Sequence, residues 1–245
     1  MSVAFSVLKI AVFLIIGTFL RADDPYKLFQ VAPFSALEKG GFEGALSIEK
    51  LSKEGNFGIG TFSGLDGQMV AYKGKYYYIN LKGQVKKANE RRKVPFAQVV
   101  HFNPEISFKL EHLRNLDILS EAISDQMEFK NHPYALMIKG KFTYLKLSSY
   151  KEQKRPYSSL KKAKDEQGVY YYEEVEGALI GFWFPSYFSN VAESGYHFHF
   201  LSDHFDQGGL VVDMHLESGE VSLMPIETFE VFLPKTATFN QLNIN

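Results

Sequence analysis

Short runs of alternating apolar and polar residues, broken by glycine-containing turns, recur along this chain and predict a strand-rich fold. Ile48–Glu54 reads as a short helix ending at Gly55. Phe57–Phe62 is apolar and glycine-spaced, and Leu65-Asp66-Gly67 follows as a turn. Met69–Tyr72, Lys73-Gly74 and Lys75–Ile79 give strand, tight turn and strand. Val94–Phe102 is a further strand. Leu110, Leu113, Ile118, Ala122, Ile123 and Met127 recur at helical intervals and predict one long helix from Phe108 to about Met127. Met137–Leu145 has a hairpin pattern, and Val169–Phe184 reads as two strands broken at Glu176-Gly177. The polar segment Lys151–Lys164, with Pro156, separates two halves of about 23–150 and 151–245. The expected class is α+β: large mixed sheets, a few helices and two closely packed halves.

Gly195-Tyr196-His197-Phe198-His199-Phe200 alternates on one further strand, so His197 and His199 point to one side and Phe198 and Phe200 to the other. Two imidazoles a strand repeat apart can share a metal ion, although the spacing equally suits a half-exposed strand that merely carries histidines.

Composition narrows the function classes. With 45% hydrophobic and 22% charged residues the chain is ordinary for a globular protein, and its 22 Phe and 14 Tyr favour a strand-rich core. A net charge of −1 gives no bulk attraction for nucleic acid or anionic lipid. The basic cluster Lys86, Lys87, Arg91, Arg92 and Lys93 reads as a solvated loop. There is no Cys, hence neither a disulfide framework nor a thiolate metal site.

Lys9, the apolar run Ile10–Leu20 and Ala22 resemble a secretory signal, residues 1–22, cleaved near Ala22. A secreted or periplasmic protein is therefore expected. An uncleaved N-terminus would instead tether it to a membrane, but eleven apolar residues fall short of the roughly 20 that span a bilayer.

Gly60-Thr61-Phe62, Leu65-Asp66-Gly67, Pro95-Phe96-Ala97, Gln153 with Pro156-Tyr157 and Leu160, Gly181–Pro185, and Gly195–Phe200 with Gly208-Gly209 occur in fixed order. In that order the chain resembles the alpha-acetolactate decarboxylase family from about Tyr26 to Phe239. The resemblance implies an α+β fold, a homodimer, a small-molecule substrate and a zinc-type metal held by three histidines beside acidic groups and an arginine. It implies decarboxylation of 2-acetolactate to acetoin, with the metal as Lewis acid and an acid delivering a proton.

Position by position, the resemblance carries His197 and His199 over as metal ligands and breaks elsewhere. The third histidine falls on Leu210, the acid after Leu65-Asp66-Gly67 on Gln68, and the arginine on Ser148. The family's C-terminal glutamate has no counterpart before Asn245. Leucine has no lone pair, glutamine no charge, and serine cannot clamp a carboxylate with two charge-assisted bonds. In the strand from Gly209, Leu210, Val212 and Met214 are expected on the face of the lost ligand, with Val211, Asp213 and His215 turned away. His204 is the substitute ligand to test, with Asp203 and Asp206 beside it and Arg155 the nearest replacement cation. The expectation is a decarboxylase-like protein with impaired or altered activity; the alternative is a non-catalytic extracytoplasmic binding or interaction protein on the same fold.

Overall fold

The computed structural model describes residues 25–244. The signal segment expected at residues 1–22 lies outside the described residues. In chain order the strands are β1 (Lys27–Val31), β2 (Leu46–Ser47), β3 (Phe57–Thr61), β4 (Gln68–Tyr72), β5 (Lys75–Ile79), β6 (Val85–Lys87), β7 (Lys93–Val94), β8 (Phe96–Val100), β9 (Ile106–Leu113), β10 (Tyr134–Ser149), β11 (Gly168–Phe184), β12 (Gly195–Ser202), β13 (Gly208–Pro225) and β14 (Thr228–Phe232). The helices are α1 (Phe34–Glu38), α2 (Ile48–Leu51), α3 (Leu116–Gln126), α4 (Leu160–Lys164) and α5 (Ala237–Gln241).

Seven strands form the first sheet in the order β14-β1-β8-β3-β4-β5-β6, with β1 and β14 parallel. Both faces of this sheet are covered, so β3, β8 and most of β4 are buried throughout rather than alternately. One face packs Phe29, Phe62, Met69 and Val99 beneath α2. The other packs Ile59, Val70 and Ile79 against Ile180, Phe182 and Leu201 of the second sheet. There β10, β11, β12 and β13 pair in succession and β13 pairs back to β10, closing a ring, while β9 extends one end of β13. Inside the ring Leu136, Phe142, Leu179, Phe198, Phe200 and Met214 form a third apolar cluster, sealed by Leu119 and Ile123 of α3. The chain passes from the first sheet to the second between Val100 and Ile106.

Several predicted elements are redrawn by the structure. The long helix splits into strand β9 and helix α3, because Ile106, Phe108 and Leu110 alternate with period two and face the ring cluster. Asn115 then caps α3, its side chain accepting from the Ile118 N–H at 2.8 Å. The predicted hairpin at Met137–Leu145 is one continuous strand, and so is Val169–Phe184. Gly140 and Gly177 are not turn residues: they pair with each other in mid-sheet. A Cβ on Gly140 would sit 2.3 Å from the Ser218 carbonyl oxygen, and one on Gly177 2.5 Å from that of Leu201. Close strand approach in a tightly coiled ring requires these glycines. Helix α2 ends at Leu51, a turn earlier than expected.

Candidate functional site

The His-bearing strand β12 lies where the ring meets the first sheet. Phe198 and Phe200 point into the ring, and His197 and His199 point out of it, toward β4. With Gln68 and Leu210 they line a cavity of about 60 Å³. Ile59, Gly60 and Thr61 of β3, Phe96 and Gln98 of β8, and Tyr150 contribute further wall. Phe34, Leu37 and Leu160 close it from the helical side, and Glu193 stands beside His197.

His199 is oriented by the backbone of the opposing sheet. Its Nδ1 donates to the Met69 carbonyl oxygen at 2.9 Å, which fixes the tautomer and leaves Nε2 as the acceptor. Burial drives its pKa down to about 4; the Met69 contact works against this, and neighbouring His197 adds to it. His197 is also held below the ordinary range, chiefly by burial, with Glu193 opposing from Oε2–Nδ1 3.3 Å away. Both imidazoles are therefore neutral near pH 7.

The turn before β4 places Gln68. Leu65 and Gly67 adopt φ of 56° and 69°, and a Cβ on Gly67 would lie 2.2 Å from the Ile79 carbonyl oxygen. Asp66 anchors this turn: it accepts from Tyr78 Oη at 2.9 Å and pairs with Arg92 Nη2 at 2.5 Å. The Arg92 guanidinium sits 4.0 Å from the Phe62 ring centroid and 4.1 Å from that of Tyr78. Arg92 is thus a structural clamp, unlike its exposed neighbours Lys86, Lys87, Arg91 and Lys93. Next to this satisfied arrangement, Gln68 is 2% exposed and its Nε2 has no hydrogen-bond partner among the described residues.

Leu210 pairs with His199 across β12 and β13, and with Ser148 across β13 and β10, so these side chains share one face. Ser148 is fully buried, and its Oγ also has no partner among the described residues. Beyond Leu210 the expected alternation fails. A register shift between Lys146 and Leu147 leaves Val212 as an extra, exposed residue, and Val211 and Met214 both enter the ring cluster. A bulge that keeps the ring core filled explains this.

None of the candidate replacement residues reaches the cavity. His204 is exposed in the turn after β12. Asp203 pairs with Lys139, and Asp206 accepts from Ser202 Oγ at 2.8 Å. Asp213 accepts from the Met214 N–H at 2.8 Å, and His215 lies 5.0 Å from the Tyr144 ring on the outer surface. Arg155 pairs with Glu43 at 2.7 Å and is 57% exposed. No group of three or more His, Cys, Asp or Glu side chains suited to hold a metal occurs among the described residues. The polar groups lining the cavity are two imidazoles, the amides of Gln68 and Gln98, the hydroxyls of Thr61 and Tyr150 and the Glu193 carboxylate; with Leu210 in place of a third imidazole, this set does not fit a three-histidine zinc site.

Three polar wall residues escaped the sequence reading. Glu193 lies four residues before His197, and Tyr150 follows the Ser148-Ser149 pair. Burial, and secondarily Glu193, raise the pKa of Tyr150, so its hydroxyl stays protonated. Gln98 is 3% exposed and donates to Gln30 Oε1 at 2.8 Å, and Gln30 Nε2 donates to the Ala32 and Val191 carbonyl oxygens at 2.7 Å each. The signal for that relay was faint: a polar residue inside each of two otherwise apolar strands.

A family model described as alpha-acetolactate decarboxylase matches residues 28–245. This chain belongs to the alpha-acetolactate decarboxylase family. It is 36% identical over 212 residues to the Methanosarcina mazei alpha-acetolactate decarboxylase, covering 86% of this chain and 74% of that protein. The Brevibacillus brevis enzyme is 33% identical over the same shares. The crystal structure of the Bacillus subtilis strain 168 enzyme superposes with a TM-score of 0.87 at 28% identity, covering 89% of this chain and 94% of that one. The expected α+β, sheet-dominated fold is that of the family.

Proposed function

We propose that this chain is a metal-free member of the family, a small-molecule binding protein that has lost the decarboxylation. One observation carries the reading: Leu210 occupies the cavity-facing position paired with His199, where the resemblance places the third histidine. Two neutral imidazoles hold zinc poorly, because each missing ligand removes both bond energy and geometric definition. Gln68 at the position of the acid can neither take nor deliver a proton near neutrality. Among the described residues, no arginine or lysine lines the cavity to hold a substrate carboxylate.

The N-terminal segment supports export, with the protein acting outside the cytoplasm, as a homodimer in keeping with its family. Sequencing the N-terminus of the exported protein tests cleavage near Ala22 against a membrane tether. The catalytic question is tested by carbon dioxide release from 2-acetolactate with zinc supplied, comparing the unmodified protein with a Leu210→His, Gln68→Glu, Ser148→Arg variant. The unmodified protein is expected to stay at the uncatalysed rate. Metal-dependent turnover by it would establish the rival reading, a divergent decarboxylase with a rebuilt site.

A further inference from the structure

We propose that the basic edge of the first sheet docks this protein on an anionic lipid surface. Residues 73–93, which run through β5, β6 and β7, hold eight Lys or Arg and a single carboxylate, Glu90, although the whole chain has a net charge of −1. The even balance of the chain therefore hides a local excess of cations. Arg92 is committed to Asp66. The other seven are exposed, and none forms an ion pair among the described residues.

These seven follow the sheet edge. β6 ends the first sheet, and Lys86 and Lys87 project from its two faces. Lys82 lies in the turn at one end of β5, Lys73 and Lys75 lie at the other, and Arg91 and Lys93 come after β6. β5 has five residues, so the cations extend over about 17 Å. Lysines commonly guard a sheet edge against pairing, which accounts for Lys86 and Lys87 but not for the five around them. A stripe of this length, free of counter-charges, matches an array of phosphates better than one small anion.

An apolar contact lies beside the stripe. Phe205 is 42% exposed and stacks at 5.2 Å on Tyr77, the cross-strand partner of Lys87. A headgroup layer accommodates both the cations and an aromatic ring, whereas a soluble polyphosphate leaves the ring in water. The carboxylates of the same turn are engaged, Asp203 with Lys139 and Asp206 with Ser202 Oγ at 2.8 Å.

The two ends of β11 carry opposite charge. Leu81, in the basic segment, packs on Gly168 at the first residue of β11, where a Cβ would lie 2.3 Å from the Leu81 carbonyl oxygen. Near the other end Trp183 pairs with Tyr196, whose Oη meets Ser124 Oγ of α3 at 2.6 Å. Asp117, Glu121 and Asp125 of α3 and Glu128 just past it are exposed there. β11 is 17 residues long, so the poles are separated by several times the Debye length of about 8 Å. An anionic surface attracts one pole and repels the other, which sets a single orientation. Copies joined pole to pole would instead repeat head to tail without closing, so the arrangement suits a surface better than a second copy.

Cosedimentation of the exported protein with vesicles tests the proposal, using phosphatidylcholine alone and an equal mixture of phosphatidylcholine and phosphatidylglycerol. Binding is expected only to the mixture and should fade as salt is raised. A Lys86→Gln, Lys87→Gln, Arg91→Gln variant should bind about a hundredfold more weakly, at about fivefold per cation, with an unchanged melting temperature. Glu121→Gln with Asp125→Asn, at the acidic pole, should leave binding unchanged. No binding to the mixed vesicles, or an acidic-pole effect as large as that of the edge variant, would overturn the proposal. So would equal binding to both vesicles, which would assign adhesion to the N-terminal apolar run. Tighter binding to soluble polyphosphate than to the mixed vesicles would replace the lipid surface with a soluble polyanion. Salt-sensitive self-association without vesicle binding, abolished in the edge variant, would assign the edge to a second copy.

Discussion

The frame around the cavity and the cavity wall itself are built from neighbouring residues and obey opposite rules. In the frame, Asp66 is engaged by Arg92 and Tyr78, and Gln30 takes the hydrogen bond of the wall residue Gln98 and donates in turn to the chain at Val191. Gln68 in the wall and Ser148, paired with the wall residue Leu210, are as deeply buried as Gln98, yet each has a side-chain polar atom with no partner among the described residues. Native interiors pair nearly all such groups. The contrast separates scaffold from chemistry: the turn, strand pairing and histidine orientation place a site, while on the proposed reading the groups that would make it work as a metal centre are missing.

The largest expected effect sharpens the wall. Leu210→His together with Gln68→Glu should raise zinc affinity by at least about a hundredfold, since a third imidazole and a carboxylate complete a four-ligand set; equilibrium dialysis against zinc measures it. Next, breaking the frame should cost stability. Arg92→Ala strips Asp66 of its partner and two aromatic faces of their cation, at about 2 kcal/mol, read as a lowered denaturation midpoint. Because Arg92 and Asp66 are each a little over a quarter exposed, this lies below the cost for a fully buried pair.

A third effect depends on pH. The unfolded chain binds a proton on each of these histidines below about pH 6.5, whereas folded His199 resists until about 4. The unfolded state therefore holds more protons across this window, and stability falls as pH drops from about 6.5 toward 4. His199→Asn, which keeps a donor for the Met69 carbonyl, should flatten that slope in melting curves recorded at successive pH values. The smallest effect is Ser148→Ala. Removing an unpartnered hydroxyl should leave stability unchanged or raise it by up to about 1 kcal/mol; a loss beyond that would show that Ser148 is satisfied and the contrast between frame and wall too sharp.

Much of this was legible in the sequence because strand alternation is strict where nothing interrupts it. The facing of His197 and His199 and the turn at Leu65-Asp66-Gly67 follow from period and order, and the family resemblance placed Leu210 at the same site. What could not be read came from long-range geometry. Gly140 and Gly177 look like turn residues until another strand is seen to need their missing side chains. Val212 looks as if it shares the cavity face with Leu210 until the ring forces a bulge, and Arg92 looks solvated until Phe62 and Tyr78 close on it. Gln68 was visible only as a lost charge; that its buried Nε2 also lacks a partner among the described residues is a property of the packed wall.

The central claim is that Leu210 ended metal binding at a site whose two other histidines remain in place. Zinc titration of the unmodified protein beside its Leu210→His variant tests it most directly. The account predicts no stoichiometric zinc on the unmodified protein and one equivalent per chain on the variant. One tightly held equivalent on the unmodified protein, lost when His199 is replaced by Asn, would contradict it.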